Sequence, residues 1–153
     1  EVVARARELG LKLTMHCDVN QMDIVEHIHE CLELIEVDRI DHGVHALESD
    51  ALCAEIARRG LGLTVCPVSN RFVVQNLTGD EIRAILARGM KATINSDDPA
   101  YFRAYMNENL QALADEAGFS KEELRTLTRN AFEVSWLKED RKAAYLDRLA
   151  QVQ

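Results

Sequence analysis

Ile94-Asn95-Ser96-Asp97-Asp98-Pro99 is the stretch on which the fold turns. A short apolar run, Ala92-Thr93-Ile94, leads into two adjacent carboxylates, and Pro99 then stops the strand. Adjacent acids at a strand end repel each other and lose hydration. A metal ion, a cationic side chain or a substrate donor has to hold them there. The plain alternative is a solvated turn opened by Asp98 before Pro99. The rest of the chain decides between the two.

Working outward, three similar runs precede this one. Residues 11–16 end in His16-Cys17-Asp18, residues 37–42 end in His42 before Gly43, and residues 61–66 are broken by Pro67 and followed by Ser69-Asn70. With residues 91–96 the strand starts fall at 11, 37, 61 and 91, a spacing of 24 to 30 residues that suits a βαβ repeat unit. Helical patterns fill the gaps. One opens at Asn20 or Gln21 and turns Val25, Ile28, Leu32 and Ile35 inward. A second runs from an N-cap at Ser49 to Arg59, with Gly60 after it. A third starts at the capping box Thr78-Gly79-Asp80-Glu81 and ends near Arg88, before Gly89. Beyond Pro99 the pattern stays helical over 104–117, from the capping box at Ser120 to Asn130 or Glu133, and over 138–151. Alternating β and α implies an α/β fold with a parallel sheet, and the strands read as apolar enough to be covered on both faces.

Residues 1–153 form a single domain on this reading, long enough for a real core. Residues 1–9 resemble the tail of an amphipathic helix closed by Gly10, so the chain is expected to be the later part of a longer protein. The net charge of −8, from 18 basic and 26 acidic residues, leaves no basic stripe for a nucleic-acid polymer, though a single base or nucleoside is not excluded. No apolar run is long enough to span a membrane. Cys17, Cys31, Cys53 and Cys66 form no C-x-x-C pair and read as reduced thiols of a cytoplasmic protein.

Parallel α/β sheets place their chemistry at the C-terminal ends of the strands. Here those ends carry His16, His42, Ser69-Asn70 and Asp97-Asp98. Histidine is five of 153 residues, so the grouping is not an accident of composition. An imidazole and a carboxylate suit Zn²⁺, and a catalytic zinc takes three protein ligands plus water, so this set is short of at least one. A second histidine can orient or deprotonate that water. The plainer readings are a satisfied strand-end histidine at His16, a turn cap at His42 and loop chemistry at Ser69-Asn70. His27 and His29 form an H-x-H in mid-helix, where i and i+2 do not face each other, and His45 is a loop residue without an assigned partner.

His16 after a strand, Arg39-Ile40-Asp41-His42-Gly43, Cys66-Pro67-Val68-Ser69-Asn70, Asn95-Ser96-Asp97-Asp98-Pro99 and the tail Asn130-Ala131-Phe132 together resemble the C-terminal half of the adenosine/adenine deaminases. The resemblance covers nearly the whole chain. It implies the last four βα units of a (β/α)₈ TIM barrel, with C-terminal helices, and an H-x-H zinc pair upstream of this chain. Carried over by position, His16 and Asp97 become metal ligands, His42 activates the water, and Asp98 contacts a purine substrate. The implied reaction is hydrolytic deamination of adenosine, adenine or a related aminopurine, with release of ammonia. The family reads His-Ala-Gly-Glu where this chain has His16-Cys17-Asp18-Val19. Val19 cannot transfer a proton, and Asp18, which shares a face with His16 on a regular strand, is a candidate replacement acid. Two alternatives stay open: a purine-binding barrel without turnover, and an inactive fragment whose exposed half-barrel edges associate with another copy.

Overall fold

The computed structural model describes residues 1–17, 19, 20 and 22–152. Among them, β1 (Thr14–Cys17), β2 (Arg39–His42), β3 (Gly62–Val65) and β4 (Lys91–Ile94) form one sheet in the order β1-β2-β3-β4. Every pair is parallel, and His16 faces Asp41, which in turn faces Thr64. Each strand returns through helical chain, as a parallel pair requires. The intervening helices are α2 (Ile24–Glu30), α3 (Asp50–Arg59), α4 (Pro67–Val74) and α5 (Gly79–Ala87), after an opening α1 (Val2–Glu8). Beyond β4 come α6 (Pro99–Phe102), α7 (Met106–Ala117), α8 (Lys121–Glu133) and α9 (Glu139–Ala150). The chain is therefore four βα units of an α/β fold followed by helices.

The core lies between the sheet and its helices. Ile40 and Leu63 from the strands meet Ile28, Leu32, Ile56, Ile82 and Ile85, all fully buried. The opposite face is polar: Arg39, Asp41 and Thr64 on it are half-buried and His16 is exposed. Coverage of both faces, expected from the apolar runs, is partial on this side: Gly62 and Thr93 are buried, Val134 packs against Gly62, and the Arg39 guanidinium lies 4.1 Å above the Trp136 ring. The runs also overstated the strands, at the start for 11–13 and 37–38, at both ends for 61 and 66, and at the end for 95–96.

Several boundaries follow the chemistry read from the sequence. Ser49 Oγ accepts from the backbone N–H of Leu52 at the start of α3, and Gly60 closes that helix with φ 65°. The Ser120 hydroxyl and the Glu123 carboxylate cap α8 reciprocally. The capping box expected at Thr78 is absent. Thr78 sits at φ 56°, and its hydroxyl donates to the Leu77 carbonyl while accepting from Asn70 Nδ2. Pro67 does not merely break the third strand; it begins α4, where its missing N–H costs nothing. The helix after β1 starts at Ile24 and finishes in a π turn over Cys31–Ile35. No described helix is long and apolar enough to cross a membrane, and all four cysteines are free.

Candidate active site

The C-terminal ends of the strands open on a cavity of about 380 Å³ lined by His16, His42, Cys66 and Asp97 together with Arg39, Asp41, Thr64, Asn95, Ser96 and Met106. Local backbone geometry puts the side chains there. His42 ends β2 at φ 60°. Strand alternation would send it after Ile40 into the helix-covered core. The left-handed turn breaks that alternation, and the buried ring lines the cavity instead. Gly43 follows at φ 75° so closely that a Cβ there would lie 2.9 Å from both Ile40 and Leu63. Asp97 also has a left-handed backbone, at φ 57°. Non-glycine residues at such φ values carry strain and cluster at functional sites.

The rings of His16 and His42 meet edge to face, with centroids 4.9 Å apart. His42 Nε2 lies 3.8 Å from Asp97 Oδ2, beyond direct hydrogen bonding. Asp97 Oδ2 accepts a short 2.6 Å hydrogen bond from the buried hydroxyl of Ser69. Donor atoms of His42, Cys66 and Asp97 all lie within 4.8 Å of one another. Burial, with the nearby Asp97 and Asp41 carboxylates, pushes the Cys66 thiol up to about 12, so it stays neutral. Imidazole and carboxylate donors at this spacing fit a borderline-soft divalent cation such as zinc.

The structure thus gathers three of the five sequence-predicted residues, His16, His42 and Asp97, in one cavity. Asp98 is exposed beside it and outside its lining; its carbonyl accepts from the N–H groups of Tyr101 and Phe102 to start α6. Asp18 lies outside the described residues. Asp41 was missed, and Ser69, placed at the rim with Asn70, was given no partner. Asp41 accepts from Thr64 Oγ1 at 2.9 Å and lies 3.6 Å from Arg39 Nε, so a charged pair floors the cavity. Its place directly before His42, in the quoted run Arg39-Ile40-Asp41-His42-Gly43, was the available signal. Ser69 looked like loop chemistry, and only its position on α4 aims it at Asp97. His45, left without a partner, lies 2.8 Å from the Val19 carbonyl and 2.5 Å from Glu48.

Residues 1–152 match the adenosine deaminase family. An adenine deaminase of Rhodospirillum rubrum is 45% identical over 153 residues, a span that takes in 99% of this chain and 45% of that protein. The crystal structure of an adenine deaminase from Arthrobacter aurescens superposes with a TM-score of 0.90 at 34% identity, covering 98% of this chain and 46% of that one. An amidohydrolase of Burkholderia ambifaria, solved with bound Zn, superposes with a TM-score of 0.80 at 26% identity, covering 97% of this chain and 44% of that one. The chain therefore spans a little under half the length of these relatives.

Proposed function

The chain belongs to the adenosine deaminase family, and on that premise we propose that the whole protein is a zinc-dependent aminohydrolase of adenine, adenosine or a related aminopurine. The observation that carries this reading is the convergence of His16, His42 and Asp97 from three strand ends on one cavity. His16 and Asp97 would hold the metal, and the family's upstream H-x-H would complete its ligands. When bound, the ion would lower the pKa of a water towards ~7 and so supply a nucleophile at neutral pH.

This chain's residues do the rest. Ser69 holds the Asp97 carboxylate in one orientation through its 2.6 Å hydrogen bond. His42, braced edge-on by His16, orients the attacking water and takes up its proton. Asp98, exposed at the rim, contacts the purine. Asp18 gives a proton to the ring nitrogen, the task that Val19 cannot perform. His42 passes the proton it took up to the departing amine, which leaves as ammonia, and Asp18 recovers a proton from the oxygen that water supplied, giving the 6-oxo purine.

The test is ammonia release by the full-length protein from adenine, adenosine and N6-substituted purines, before and after chelation and zinc restoration. Activity lost with the metal and recovered on its return is expected. A zinc-loaded protein inert on the whole panel and on cytosine would overturn the reading.

Val19, buried at 7% exposure, favours a second reading: a purine-binding barrel without turnover. Asp18→Asn separates the two. A fall in turnover of ~10²-fold or more, with zinc retained, assigns the acid to Asp18 and removes the second reading.

A further inference from the structure

Behind β1, on the side away from the cavity, Cys17, His27 and Cys31 form a second cluster of donors. Cys17 ends β1 and is fully buried, as is Cys31 at the start of the π turn. His27 and Cys31 are four residues apart, so they share one face of the helix. The two sulfurs are 4.0 Å apart, and His27 Nε2 is 3.8 Å from Cys31 Sγ. In a tetrahedral zinc site with ordinary bond lengths, two sulfurs lie about 3.8 Å apart and a sulfur and a nitrogen about 3.6 Å. Two edges of the cluster therefore match such a tetrahedron to within a few tenths of an ångström before any side chain moves, and the third, from Cys17 to His27, is no longer than 4.8 Å. A second feature coincides with it: the α-helix widens into the π turn at Cys31, a distortion frequent at functional sites.

We propose that Cys17, His27 and Cys31 form a second metal site, selective for a thiophilic divalent ion such as Zn²⁺, separate from the deaminase cavity. Both thiols give up their protons on binding, and a solvent molecule takes the fourth position on the side of half-exposed His27. His27 Nε2 also lies 3.2 Å from the carbonyl of His16. As a ligand, that nitrogen gives up its contact with the strand end that carries His16. The inference does not rest on the deaminase reading, since the ligands, two of them thiols, lie outside that cavity.

The experiment is Co²⁺ titration of the reduced full-length protein, read by near-ultraviolet thiolate-to-cobalt charge-transfer absorption. In the metal-free protein two equivalents of Co²⁺, enough to fill both proposed sites, are expected to develop this absorption in the Cys66→Ala variant as in the unaltered protein. Cys31→Ala is expected to abolish it. His27→Gln, at a half-exposed position that leaves the core intact, is expected to weaken Co²⁺ binding by ~10-fold or more with an unchanged circular dichroism spectrum. Absence of the absorption in the unaltered protein would overturn the proposal. So would its persistence in Cys31→Ala, its loss in Cys66→Ala, or unaltered affinity in His27→Gln. None of these readings depends on turnover, so failure of the second site and failure of the deaminase proposal are distinguishable.

Discussion

Asp97 has a hydrogen-bond donor in Ser69 and a backbone at φ 57° to hold it in place. A carboxylate that is to ligate a metal loses affinity if it is free to rotate, and such outer partners are typically worth 10–100-fold in metal binding. Ser69→Ala removes the hydroxyl without adding bulk. Zinc affinity of the full-length protein, measured by competition with a chromophoric chelator, is expected to fall by ~10–100-fold. Unaltered affinity would mean that Ser69 is packing and not positioning. The sequence made His16, His42 and Asp97 legible because each ends a periodic run. It could not make Ser69 legible, because its partner is 28 residues away and lies on another element. Nor could it show that His42 departs from strand alternation, since a left-handed histidine leaves no pattern in composition.

At the scale of elements, α8 shows how one carboxylate can serve three donors. Glu123 accepts from the Ser120 N–H and hydroxyl and from Arg83 Nε on α5. Arg83 first, then the two Ser120 donors, hold its carboxyl down at about 2 against an ordinary 4.5. A depressed folded-state pKa contributes stability that is full above the unfolded value and disappears as pH falls through the folded one. The window here runs from about 4.5 down to about 2. Glu123→Gln is therefore expected to be less stable near neutrality, and its stability is expected to fall less steeply than the parent's across that window. Chemical denaturation at stepped pH reads both; parallel curves would refute the role. This box was readable because Ser-x-x-Glu is a local code. The Thr78 box carried the same code and failed, since buried Asn70 claims its hydroxyl through a tertiary contact. The five-residue 3₁₀ turn Val44–Glu48 and the four-residue α6 are too short to show a period at all.

On the scale of the molecule, the sheet has two outer strands, each with a single partner. An unpaired strand edge is a template for another chain. The outer edge of β4 is blunted, because Asn130 Nδ2 from α8 donates to the Ala92 carbonyl. β1 is different. The carbonyls of Leu13 and Cys17 accept from Asp38 and Gly43 on the β2 side, so Thr14 and His16 turn their backbone groups outward. The His16 carbonyl meets His27, whereas Thr14 is exposed. Self-association of these 153 residues made alone is accordingly expected to run through β1. Light scattering should give a mass that rises with concentration above the 17.3 kDa of one chain. Thr14→Pro removes the outward N–H and no bond of the β1–β2 ladder, as proline does when it sits on an edge. That variant should return the mass to one chain at every concentration. If it associates as the parent does, contact runs through another surface, the polar inner face of the sheet rather than the β1 edge.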